Sequence, residues 1–330
     1  MESGIIQSSL QENLNKSSKN SQAVSDNQES AADSNIFVEK LKLKQCSFID
    51  NLKLASTYLQ NVDEAPPRLA ERLSKEIKVL SRGLPLDKSC SIFIGIDSNQ
   101  MRYMSGVIAG SEGTPYAHGL FFFDIFCGPD FPRSPPQVTL KTTGNGEAYF
   151  GPNLYSNGYV CLSIINTWSG DESERWNSNK NILQVLLSIQ ALVMDNNIIQ
   201  KEPGLYYLDV NCPDSVIFQN AVKYLNIKYA MIKNMRTPPA GFEELVHDYF
   251  QLKREFILME INQWLDKAKN ESHHFSQQSI AQSYNPGLCQ RMHNEGFFKV
   301  LSEIGRELET EFDARYGPCE IKLKLYNRDK

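Results

Sequence analysis

No apolar run in this chain approaches the roughly 20 residues that a bilayer-spanning helix needs, so membrane insertion is not expected. The opening stretch MESGIIQSSLQENLNKSSKNSQ lacks a basic segment followed by an apolar one, so nothing in it directs secretion, and a cytosolic or nuclear address is the expectation. An excess of basic residues is missing too. A net charge of −5 and a pI near 5.7 disfavour the footprint that nucleic-acid binding needs and point to protein partners. The seven cysteines are odd in number, widely spaced and without a C-x-x-C pair, which argues against a disulfide framework and a zinc site and leaves the thiols free. Histidine is sparse. The adjacent His273 and His274 would point in different directions on a helix, so they read as a solvated loop rather than a shared metal site. The glycines of GNG at 144–146 have neither the spacing of a dinucleotide fingerprint nor a phosphate-loop lysine and read as a turn.

What is present is ordinary globular composition, 41% hydrophobic and 22% charged, in a length that suits one large domain or two small ones. Residues 1–34 are rich in Ser, Asn, Gln and acidic groups, with no aromatics, and are expected to be disordered. They belong to an N-terminal extension (1–65) in which only 36–59 could form a short helix, its apolar spacing being irregular. After Pro66-Pro67 the spacing of Leu69, Leu73, Ile77 and Leu80 predicts a helix stopped near Gly83. Four β-like runs follow, CSIFIGI, RYMSGVIAG, GLFFFDIFC and QVTLKTT, which read as an antiparallel meander. Between the last two, GPDFPRSPP holds four prolines and fixes a rigid crossover. A helix is expected over NILQVLLSIQALVMD, with Ser178 or Asn179 as its cap and Ile182, Val185, Leu186, Ile189, Leu192 and Val193 as its core stripe. Further amphipathic helices follow on either side of Pro238-Pro239-Ala240-Gly241, and the last carries Phe297, Val300, Leu301, Ile304, Leu308 and Phe312 at helical intervals.

Between the meander and that first core helix lies GPNLYSNGYVCLS, with Cys161 among turn formers and Asn153 eight positions upstream. The order helix, four strands, proline crossover, cysteine loop and helix, with the stretches PYAHGLFFFDIFCGPDFPRSPPQVTLKTT, GPNLYSNGYVCLS and KEPG, resembles the ubiquitin-conjugating (E2) family over residues 66–235. Within it, KTTGNG, NLYSNGYVCLSI and EPG are most similar to the Z-type branch, which also carries a helical extension, here residues 236–330.

The resemblance implies an α+β ubiquitin-conjugating (UBC) fold. It also implies an enzyme that accepts ubiquitin or a ubiquitin-like modifier from an activating enzyme as a thioester on Cys161 and passes it to a substrate lysine, usually with a ubiquitin ligase. No cofactor is implied, since ATP is used by the activating enzyme. Asn153 stands at the family's asparagine, which donates to the oxyanion or holds the loop; Glu202, before Pro203, stands at an acidic position that orients the acceptor amine. A local histidine base is not required, because the thioester arrives already activated. The thiol must be exposed, and a loop supplies exposure. Gly151 replaces the histidine that most relatives keep there to brace the loop. Where the family's ligases grip, this chain has Arg133 and Asn177-Ser178-Asn179, which disfavours ordinary ligase partners; Trp176 is read as a packing residue. Cys90, Cys127, Cys212, Cys289 and Cys319 are read as small buried hydrophobes. The alternatives are a catalytically silent scaffold that binds ubiquitin or a ligase, and a cysteine hydrolase drawing on His118 or His247.

Overall fold

A computed structural model describes residues 35–52, 58, 66–270 and 280–326; the expected disorder of residues 1–34 and the His273-His274 pair lie outside these described residues. Of the segment 36–59, the described residues hold a short helix and a strand. Residues 35–42 are helical (α1), and a strand, β1 (Cys46–Ile49), follows at once. The apolar pattern therefore switches from helical spacing, with Phe37 and Leu41 buried one turn apart, to strand spacing within a few residues, which is why it looks irregular.

β1 pairs in parallel with β2 (Ile92–Asp97), Cys46 opposite Ile94. β2, β3 (Tyr103–Ala109), β4 (Leu120–Phe126) and β5 (Gln137–Leu140) form the antiparallel meander. The expected four strands are thus five, in the order β1-β2-β3-β4-β5. Every residue of β2, β3 and β4 is buried, as near-continuous apolar runs require when both faces of a sheet are covered.

One face packs on α3 (Ile182–Ser188), which continues as a π-helical turn over Ile189–Val193. The opposite face is covered by the extension's long helix and the residue just before it: Phe93 meets Tyr249 of the helix edge-on at 6.4 Å between ring centroids, and Phe122 meets Phe242 at 5.4 Å. Gly95 permits that approach, because a Cβ there would lie 2.7 Å from the Phe242 ring.

α2 (Pro67–Gly83) buries Leu69, Leu73 and Leu80 as its spacing predicts, and Glu76 with them. Glu76 Oε2 accepts from the Ile182 backbone N–H at 2.8 Å, an orphan donor of the α3 N-terminus. The α3 cap is Asn181, neither Ser178 nor Asn179: Asn181 accepts from Gln184 N, and Gln184 Oε1 accepts from Asn181 N. Ser178 and Lys180 instead offer their carbonyls to Arg72. The core stripe is also narrower than expected, since the π turn turns Val193 inward and leaves Leu192 62% exposed.

Beyond the core, α4 (Pro213–Leu225) runs through a second π segment into α5 (Asn234–Arg236). After the proline break come α6 (Glu243–Asn270), α7 (Ala281–Tyr284), α8 (Pro286–Glu295) and α9 (Phe297–Tyr316). All six apolar positions expected on α9 are buried.

Candidate active site

The loop that carries Cys161 begins with a tight turn. Phe150 N–H donates to Leu154 O and Leu154 N–H to Gly151 O, with Gly151 at φ +152° and a Cβ there only 2.9 Å from Ile198 Cγ2. Glycine is required for both reasons. The brace is Tyr116: its buried hydroxyl donates to Phe150 O at 2.7 Å, and its ring lies edge-on to Phe121 at 5.7 Å. A tyrosine outside the loop thus holds the turn that a histidine would hold from within.

Asn153 and Cys161 are clamped reciprocally. Cys161 N–H donates to Asn153 O at 3.0 Å, and Asn153 Nδ2 donates to Cys161 O at 2.8 Å, while Asn153 Oδ1 is buried without a partner. The expected exposure of the thiol is not found: Cys161 is only 4% exposed, and its Sγ donates to Thr167 O at 3.1 Å. Burial pushes the thiol's pKa up. The physical reason is Thr167, whose Oγ1 accepts from Leu162 N at 2.8 Å and donates to Val160 O at 2.8 Å, drawing its own segment across the cysteine. Tyr159 also donates to Thr167 O. A loop position guarantees irregular backbone, not access.

Glu202 follows a 3₁₀ turn, Ile199–Lys201, and accepts a short hydrogen bond from Tyr284 Oη on α7. Tyr284 stacks flat on Tyr149 (4.6 Å, 7°), and Asn285 Nδ2 donates to Tyr149 O. Tyr155 stands edge-on to Tyr149; its phenol is pushed up by burial and then by the neighbouring charges of Cys161 and Glu202. Cys161 and Asn153 are therefore in contact, whereas Glu202 is tied to the start of the loop through Tyr284 and its stack on Tyr149. Sequence reasoning missed Tyr116, Tyr149, Tyr155, Thr167 and Tyr284; the crowding of Tyr149, Tyr155 and Tyr159 around the cysteine loop was the available signal.

His118 is buried, its pKa lowered to about 3 by burial and by Lys253, and His247 bonds Asp248 on α6. Neither bonds Cys161, so the hydrolase arrangement is not formed. Arg133 is exposed and pairs with Asp130. Trp176 packs as expected, on Phe131 at 5.7 Å, with its indole N–H donating to Pro132 O. All seven cysteines are free; Cys127, Cys289 and Cys319 are buried, while Cys90 and Cys212 are only partly so. Among the described residues no cluster of metal-ligating side chains occurs, and no helix is long and apolar enough to cross a membrane.

Residues 72–203 match the family model of the ubiquitin-conjugating enzymes. Over that stretch this chain carries a ubiquitin-conjugating enzyme domain. Its α+β architecture, with a five-stranded sheet and helices on both faces, is the UBC fold with a C-terminal helical region.

Among similar proteins, the human "Dual E2 ubiquitin-conjugating enzyme/E3 ubiquitin-protein ligase BIRC6" is 39% identical over 201 residues, covering 59% of this chain and 4% of that protein. The Caenorhabditis elegans "Probable ubiquitin-conjugating enzyme protein 17" is 34% identical over 246 residues, covering 71% of this chain and 34% of the other. The Arabidopsis thaliana "Putative ubiquitin-conjugating enzyme E2 38" is 35% identical over 196 residues, 58% of each. The chain thus spans from a small fraction to little more than half of the length of these E2 relatives.

Proposed function

We propose that this E2 domain is catalytically active, with Cys161 carrying ubiquitin or a ubiquitin-like modifier as a thioester between an activating enzyme and a substrate lysine. In the first exchange the Cys161 thiolate attacks the carbonyl carbon of the activating enzyme's thioester. A new C–S bond forms, the old one breaks, and the activating enzyme's cysteine leaves as thiolate. In the second, a neutral lysine amine attacks the same carbon. The C–N bond forms, the electron pair of the broken C–S bond returns to Cys161, and the amine's proton passes to Glu202 or solvent.

The observation that carries this reading is the reciprocal clamp between Cys161 and Asn153. It ties an amide donor to the backbone of the reacting cysteine, where an oxyanion developing at that residue can use it; one such donor is worth about 3 kcal/mol in a protease. Next to Cys161 an apolar groove of about 500 Å³ runs along α3 past Leu162, Ser163, Leu187 and Leu192, room for an extended segment of an incoming protein. ATP is consumed by the activating enzyme, and a ubiquitin ligase and protein substrates are the further partners. The helical extension is of the kind the Z-type branch carries.

The test is incubation with an activating enzyme, a modifier and ATP, followed by a non-reducing gel. A thiol-sensitive adduct that Cys161→Ser converts to a thiol-resistant ester is expected. No adduct with any of several activating enzymes and modifiers refutes the proposal in favour of the scaffold reading.

A further inference from the structure

We propose that Tyr284, in the helical extension, is a positioning residue for the acceptor step, holding the Glu202 carboxylate where the incoming amine must pass. The inference rests on the thioester reading above and assigns part of its second step to the extension. Glu202 has a flexible side chain on an irregular turn, between Lys201 and Pro203, and such a side chain does not hold one rotamer unaided. Among the described residues its carboxylate takes one side-chain hydrogen bond, and the donor is Tyr284 Oη, 82 residues away.

Tyr284 is itself immobilised from several sides. It stacks flat on Tyr149 and lies edge-on to Phe218 at 5.8 Å. The next residue, Asn285, is buried, donates to Tyr149 O and accepts from Cys289 N in α8. Tyr149 directly precedes Phe150, whose carbonyl Tyr116 holds at the start of the Gly151–Asn153 turn. The extension is therefore keyed into the same strand of chain that delivers Asn153, and its tyrosine reaches from there to Glu202. If Tyr284 served packing alone, the ring would be enough. The hydroxyl aimed at a carboxylate points to a second role, because a hydrogen bond to a charged group fixes its direction more strongly than a neutral one.

Tyr284→Phe keeps the ring and its stack while removing the donor, so the fold is retained. The full-length protein is charged with ubiquitin, the activating enzyme is quenched, and free lysine is added. Tyr284→Phe is expected to charge at the wild-type rate and to discharge about tenfold more slowly, the scale of one lost hydrogen bond to a charged group. Glu202→Gln is expected to slow discharge as well, and adding Tyr284→Phe to it should slow the reaction no further. A purely structural role would not produce that non-additivity. Wild-type discharge in Tyr284→Phe or in Glu202→Gln, or losses that multiply in the double variant, overturn the assignment while leaving the thioester reading intact. Absence of any adduct in the wild type overturns both.

Discussion

The loop around Cys161 and the helical extension are built by opposite means. Between Gly151 and Thr167 the backbone makes only short bridges and a single 3₁₀ turn, Ser163–Ile165, and its shape is set by individual hydrogen bonds from Tyr116, Asn153 and Thr167. The extension is held by a continuous apolar seam: Phe250 of α6 packs against Phe312 of α9, which in turn meets Tyr316. Polar bonds are directional and few, so each one places an atom. Apolar burial is non-directional and cumulative, so each side chain adds stability without defining a reacting geometry. Substitutions in the two regions should therefore separate stability from reactivity.

The largest effect is expected in the extension. Phe312 is fully buried, and Phe312→Ala should cost about 3–5 kcal/mol of unfolding free energy, measured by denaturant titration. Charging per folded molecule should stay at the wild-type level. A proportional loss of charging rate would mean that the helices also shape the loop by packing.

A somewhat smaller effect is expected at the seam between the sheet and α6, where neither means acts alone. Lys253 is wholly buried on α6; its ammonium donates to Lys88 O at 2.7 Å and Glu112 Oε1 at 3.1 Å and stands near His118. Burial and that lysine lower the imidazole's pKa to about 3, so His118 is neutral in the folded protein, whereas the unfolded chain takes up a proton near pH 6.5. The unfolded state binds more protons between these values, so stability present at neutral pH is lost as pH falls below about 6.5, amounting to about 3 kcal/mol at pH 4. Asparagine tolerates the φ of +61° at this position, and His118→Asn should lose correspondingly less between pH 7 and pH 4. Equal acid sensitivity in the two proteins would remove His118 from the account.

The same contrast explains what could be read from the sequence. α2 and α9 were legible because one period runs through each, whereas Cys161 and Asn153 were singled out by the family resemblance, and the structure brings the two into hydrogen-bond contact. β1 was not, since a four-residue strand beside a short helix offers too few repeats of either period. The cover on the thiol escaped because it depends on where Thr167 sends one hydroxyl, and the cap of α3 because three asparagines and a serine compete within five residues. The contact of Tyr284 with Glu202 joins segments that no local pattern links.

The smallest expected change in stability falls in the loop, and it should alter access to the thiol more than the two larger losses do. Thr167→Val preserves shape but strips the hydroxyl from between Val160 and Leu162, leaving the Leu162 N–H unpaired at a cost of about 1–2 kcal/mol. The segment that covers the sulfur then loses its anchor, and local opening becomes easier than global unfolding. Alkylation of Cys161 by iodoacetamide, followed by mass spectrometry at one mildly alkaline pH, should be several-fold faster in Thr167→Val than in the wild type. Under the same native conditions Phe312→Ala should change that rate less, despite its larger loss of stability. The reverse order would mean that access to the thiol is governed by global stability, and that the loop's hydrogen bonds are incidental to its chemistry.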